Sequence, residues 1–433
     1  MTIGLELEAW LLDRNCLPTP QSDEFISTAN DERVVHELSK FNFELNADPR
    51  ELSGDCFAAI QGDLDALWVR CVRAAGTLGI RPMMIGILPT VRDEMLQPAW
   101  MADSNRYDAL NREIMRARGD RPLHIAISGK DDLAYRCDHI MLEAACTSLQ
   151  AHLKIDQVDA PRLYNAAQIA AGPLVAATAN SPYLYGKSLW AETRIPAFEQ
   201  STKLLSFPDP QGRNVLRVTL GTGFVRHSLL ELFLENLSYP TLLPMMAEAN
   251  EELPCVKLQN GTIWRWNRPI LGFDGAGTPH LRIEQRAMPA GPTIADGIAN
   301  LALSNGLTLA LGKADNPAQT HTSFEDARAN FYACARDGLE AQIRFEGKPV
   351  AAGKLLLERL LPEARAALAE QGVGEDDLKL FFDEILARRI ETGQTGAQWQ
   401  RACYEAHGRN FQALTERYLE LQETGEPVHN WPV

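Results

Sequence analysis

Residues 3–11 read IGLELEAWL, an apolar run in which two carboxylates, Glu6 and Glu8, sit two positions apart. A period of two places Glu6 and Glu8 on one side of a strand and Leu5 and Leu7 on the other. Two readings follow. The strand either shows a wet face to solvent or forms one wall of a site. Glutamate is a weak strand former, and carboxylates on one face repel each other unless a cation lies between them.

The same alternation returns in FNFELNADP (41–49), SLQAHLKID (148–156) and PHLRIEQRAMP (279–289). Asn42, Glu44 and Asn46 oppose Phe43 and Leu45; Gln150, His152 and Lys154 oppose Ala151, Leu153 and Ile155; Arg282, Glu284 and Arg286 oppose Leu281 and Ile283. Each is the pattern of a two-faced strand. Between them, apolar residues recur at three and four in residues 54–79, 163–180 and 292–312, which predicts helices, the second interrupted by Gly172 and Pro173. Residues 354–371, 375–391 and 396–423 predict amphipathic helices. The expectation is one domain over 1–433, with a sheet-and-helix core at 1–312 and a helical C-terminal subdomain at 313–433. Helices between strands leave antiparallel pairing open.

Composition narrows the function. The chain has 433 residues, 45% of them hydrophobic, and a net charge of -15, which argues against general nucleic-acid binding because phosphate neutralisation needs clustered Lys and Arg. The eight cysteines show no CxxC pairing and read as thiols in a reducing compartment. No leader-like opening and no apolar run of about 18 residues is evident, so the expectation is a cytoplasmic protein without membrane contact.

Familiar nucleotide motifs fail. GKS at 186–188 has Ser181 where a P-loop needs glycine, and GTGFVR at 221–226 has Arg226 where a third glycine belongs. The carboxylates carry more. Oxygen-rich pairs such as Glu6 and Glu8 suit Mg²⁺ or Mn²⁺, and Glu44 and Glu284 carry the same implication if their strands are neighbours. Arg282 and Arg286 bracket Glu284, either as cross-strand ion pairs or as phosphate ligands. Gln150, His152 and Lys154 share a polar face suited to a phosphate or a carboxylate. In TANSPYLYGKSLWAETR (178–194), Arg194 reads as an anion ligand in a loop with Glu192. In GTIWRWNRPI (261–270), the tryptophans read as core residues and Arg268 as a turn residue able to face a pocket.

Taken in order, GLELEAW, FELNADP, QAHLKI, ANSPYLYG with ETR, WRWNRP and LRIEQRAMP resemble the glutamate-cysteine ligase type 2 family, from about residue 3 to about residue 310. The resemblance implies an α+β fold like the glutamine synthetase catalytic domain: a curled, mainly antiparallel half-barrel sheet with helices on its outer face. It implies ATP and Mg²⁺ or Mn²⁺ on the concave face, with Glu6, Glu8, Glu44 and Glu284 as metal ligands. Glu284 and Arg286 would be catalytic, Gln150, His152, Lys154 and Arg286 would hold the nucleotide, and Arg194, Arg268 and Asn46 would meet substrate. The implied reaction joins a small-molecule carboxylate, expected to be glutamate, to an amine through an acyl phosphate; a homodimer is compatible with it. Leu88 precedes Pro89 where relatives often carry His-Pro, and Lys154 stands where they carry a second histidine, so the substrate stays open. A guanidino or amine kinase of the same fold and a non-catalytic small-molecule-binding protein are the alternatives.

Overall fold

The alternation of the opening residues is realised as β1, Thr2–Leu12, around which the main sheet is built. The structure, a computed structural model, describes residues 1–204, 207–208, 214–243, 246 and 252–433. Beside β1 stand β2 (Val34–His36), β3 (Asn42–Asn46), β4 (Arg50–Glu51) and β5 (Arg81–Met83). A separate hairpin follows, β6 (Leu123–Ser128) with β7 (Asp132–Cys137), and then β8 (Ser148–Ile155) returns to the main sheet. Two short pairs come next: β9 (Tyr183–Leu184) with β10 (Lys187–Ser188), and β11 (Phe207–Pro208) with β12 (Asn214–Val215). β13 (Asn267–Phe273) and β14 (Pro279–Pro289) complete the sheet, whose order is β13-β14-β8-β1-β3-β2, with β4 and β5 also on β1. Every pairing in it is antiparallel, and the sheet is curled with helices packed on it, the α+β half-barrel expected from the resemblance.

One face is apolar because the sequence alternates. Leu5, Leu7, Phe43, Leu45, Ala151, Leu153 and Ile283 are buried in a single cluster with side chains of the helices Cys56–Thr77, Ala160–Thr178 and Ile294–Leu311. Each large side chain so buried contributes about 1.5–3 kcal/mol. The helix predicted to be interrupted at Gly172 and Pro173 runs unbroken from Ala160 to Thr178. Pro173 removes one backbone hydrogen bond, but the surrounding turns are buried, and Gly172 lets the backbone of Asn330 and Phe331 approach so closely that a Cβ would sit 3.1 Å from it. Packing outweighs the local breaker.

Ile294–Leu311 is long and apolar enough by composition to cross a membrane, a feature that a search for an unbroken apolar run overlooks because Asp296, Asn300 and Ser304 punctuate it. Nearly all of it is buried against other elements, as befits a core helix. Thr293 caps its start, its hydroxyl accepting from the Asp296 amide at 3.1 Å.

Residues 313–433 add the pair β15 (Gln342–Phe345) and β16 (Lys348–Ala351) and a series of helices that close over the others. Asp377 accepts the Phe57 amide at 2.8 Å, satisfying a donor in the first turn of Cys56–Thr77. Buried Arg389 meets buried Asp296 at 2.7 Å.

Candidate active site

Strand register brings together what alternation alone only sorts into faces. Across β1 and β3, Glu8 lies opposite Glu44 and Glu6 opposite Asn46. Across β1 and β8, Glu6 lies opposite Gln150; across β8 and β14, His152 lies opposite Glu284 and Lys154 opposite Arg282; across β13 and β14, Arg268 lies opposite Glu284. The polar residues of these strands share one face, much of it lining a cavity of about 360 Å³.

Among the described residues, two groups on that face could hold a metal ion. Glu8, Glu37 and Glu44 each bring an oxygen within 4.8 Å of the other two, and Glu6, His152 and Glu284 do the same with two oxygens and a ring nitrogen. The four glutamates singled out in the sequence divide two and two between these groups. Glu37 was missed because it follows the three-residue strand β2 in a loop, where no alternation marks a face.

The first group is all acid. Burial, followed by repulsion from Glu8, pushes the Glu37 carboxyl up to about 8. Burial with Glu37 and Glu6 nearby raises Glu44 well above its ordinary range. Glu8 is also raised by burial, although its oxygens accept the Ser148 amide at 2.7 Å, the Ser148 hydroxyl at 2.8 Å and Gln150 Nε2 at 3.1 Å. Like charges directly opposite on neighbouring strands destabilise a sheet. A hard divalent cation removes that cost, and an all-oxygen set is what Mg²⁺ or Mn²⁺ requires.

The second group is balanced differently. Burial opposes ionisation of Glu284, but Arg268 and Arg286 outweigh it and hold its carboxyl far below the usual range. Arg268 makes a two-pronged contact, Nε and Nη2 donating to the two oxygens at 2.8 and 2.7 Å, and Arg286 Nη1 donates to Oε2 at 3.1 Å. His152 Nε2 lies 3.0 Å from Glu6 Oε1, yet both ring nitrogens lack a hydrogen-bond partner. A buried histidine beside two carboxylates, with both ring nitrogens unpartnered, fits a metal ligand.

A bulge aims Arg286. Gln285 pairs with Ala151 and Met288 with Leu149, so Arg286 and Ala287 together face only Gln150. Arg286 Nη1 reaches Gln150 Oε1 at 2.8 Å, and the same Gln150 donates to Glu8, linking the two ligand groups. The carbonyls of the bulged residues are taken up by Arg194, whose Nη2 donates to Arg286 O at 2.8 Å and Nη1 to Ala287 O at 3.1 Å.

Arg194, read as a loop residue, opens the helix Arg194–Ser201, and its guanidinium is paired at 3.1 Å with buried Glu192. It lines the cavity, but its Nη1 and Nη2 donate to the bulge and to Glu192, while its buried Nε has no hydrogen-bond partner. Arg268, read as a turn residue, lies within β13, because Pro269 is compatible with an edge strand. Trp264 and Trp266 are buried, as expected of core residues, and also form part of the cavity wall. Lys154 and Asn46 face a second hollow of about 340 Å³ on the other side of Glu6, with His152, His280 and Arg282; Asn46 Nδ2 donates to Glu44 at 3.0 Å. Cys146 also lines the main cavity, and burial keeps its thiol well above the ordinary value, which suits packing rather than attack.

The family model for glutamate-cysteine ligase family 2 (GCS2) matches residues 2–417. Among curated proteins, no sequence matches this one. A glutamate–cysteine ligase from Francisella tularensis, solved in complex with AMP, has a similar fold: TM-score 0.57 at 14% identity, covering 98% of this chain and 89% of that one. A bifunctional glutathione synthetase from Pasteurella multocida gives a TM-score of 0.56 at 10% identity, covering 97% of this chain and 52% of the other, so the present chain spans about half of that protein.

Proposed function

The chain belongs to glutamate-cysteine ligase family 2, ATP-dependent ligases that form C–N bonds, and from this premise we propose that it joins the side-chain carboxylate of glutamate to an amine through an acyl phosphate. The observation that carries the reading is the pair of candidate ligand groups on one sheet face, Glu8–Glu37–Glu44 lining the main cavity and Glu6–His152–Glu284 reaching it through Glu6. Mg²⁺ or Mn²⁺ held there would neutralise the phosphate oxygens of ATP and favour attack on its terminal phosphorus.

The protein's own residues then have definable tasks. Glu284, fixed by two arginines, cannot swing away from His152 and Glu6. Arg286, aimed by the bulge, brings a positive charge beside the ligand groups where transferred phosphate would gain negative charge. Buried walls, including Trp264, Trp266 and Leu110, keep water from an intermediate that water would destroy. No side chain serves as nucleophile, because the substrate carboxylate attacks first and the amine second. The free cysteines fit a reducing compartment, and the cytoplasm is the location we assign.

A screen for ADP release tests this, with glutamate held constant and amines varied, in Mg²⁺ and in Mn²⁺. The expected result is release that depends on both acid and amine and disappears in Glu8→Gln. The reading fails if no acid–amine pair exceeds the Glu8→Gln control.

A further inference from the structure

Among the described residues five glutamates line the cavity, and four of them, Glu6, Glu8, Glu37 and Glu44, belong to the candidate ligand groups. Glu143 is the fifth. It sits on the short turn Glu143–Ala145 that leads into β8, off the strands that carry the ligands. Among the described residues its carboxylate makes no hydrogen bond and no ion pair; burial pushes it up to about 7, against the pull of Arg286 and with the repulsion of Glu8, and it in turn repels Glu37. It is partly exposed, toward the cavity it lines. The cavity walls also include Tyr107, Phe198, Trp264 and Trp266. Aromatic faces with one uncommitted carboxylate are the surroundings that attract an ammonium ion.

Resting on the acyl-phosphate reading, we propose that Glu143 is a catalytic residue that binds the ammonium group of the acceptor and takes its proton. At neutral pH an alkyl amine arrives as R–NH₃⁺ and has no lone pair to donate. Transfer of one proton to the Glu143 carboxylate leaves R–NH₂, whose lone pair forms the C–N bond at the acyl carbon. The C–O bond to phosphate breaks, and its electron pair leaves on phosphate. The second proton shed by nitrogen leaves with the phosphate, and Glu143 returns its own to water. The other cavity carboxylates are less suited to the task, since each is engaged with a ligand group.

Two acceptors separate this role from a structural one. With the amine that releases most ADP in the screen above, Glu143→Gln is expected to lose about 10²–10⁴-fold in amide formation. Hydroxylamine, whose nitrogen is uncharged at neutral pH, needs no base and is expected to keep trapping the acyl phosphate as a hydroxamate in the same variant. Glu143→Asp, which retains a base at shorter reach, recovers part of the amine reaction. Equal loss with both acceptors, or loss with neither, overturns the proposal. Hydroxamate absent from the wild type, with ATP and glutamate present, overturns the acyl-phosphate reading itself and is distinguishable from those results.

Discussion

The two candidate ligand groups share β1 and one sheet face, yet they meet the problem of buried charge in opposite ways. Glu8, Glu37 and Glu44 face one another with no cationic side chain among them, and their carboxyls are all raised. Glu284 lies between two arginines and stays ionised. The difference teaches that the Glu284 side is neutralised by the protein's own arginines, whereas the Glu8 side gathers like charges that a bound cation would neutralise.

The largest effect is expected where that internal neutralisation is broken. Glu284→Ala leaves Arg268 and Arg286 without their shared carboxylate and should cost about 3–5 kcal/mol, measured by urea denaturation in EDTA. A loss under 1 kcal/mol would mean the arginines are not held by Glu284. Gln150 joins the two halves, so Gln150→Leu should cost about 1–3 kcal/mol by leaving charged partners unsatisfied, and should weaken Mg²⁺ binding in calorimetry. Unchanged Mg²⁺ affinity would show that the halves are independent.

A pH series sharpens the contrast without mutation. A carboxyl whose pKa rises on folding binds its proton more tightly in the folded state, so its stabilisation is whole below about 4.5 and is lost as pH climbs toward the folded value. For Glu37 that value is about 8. The melting temperature in EDTA should therefore fall between pH 5 and pH 8, and Mg²⁺ should flatten the fall. A melting temperature that rises with pH in EDTA would contradict the assignment. The smallest effect runs against the first: Glu44→Gln removes a like-charge pair opposite Glu8 and should raise metal-free stability by about 0.2–1 kcal/mol while reducing stabilisation by Mg²⁺. Destabilisation in EDTA would show that Glu44 is not repelled by its neighbours.

Much of this site is legible in the chain because strand alternation is local. Glu6, Glu8, Glu44, Gln150, His152 and Glu284 each stand two residues from another polar group with apolar neighbours between, and that pattern sorts faces without knowledge of partners. Glu37 and Glu143 carry no such signal, one lying in a loop after a three-residue strand and the other on a single turn. Gly172 and Pro173 misled in the other direction, since their helix-breaking tendency is a local property that burial against Asn330 and Phe331 overrides.

What the sequence alone determined is membership of a face: which carboxylates, arginines and aromatics point the same way along each strand. Only the tertiary structure decided that β8 lies beside β1 and β14 beside β8, each pair more than a hundred residues apart in the chain. It also decided that Glu37 joins Glu8 and Glu44, that a bulge turns Arg286 toward Gln150, and that Arg194 donates to the bulge's carbonyls. The physical reason is one of range. Side-chain direction follows from backbone geometry over two residues, whereas convergence depends on long-range pairing and packing, which no short stretch encodes by itself.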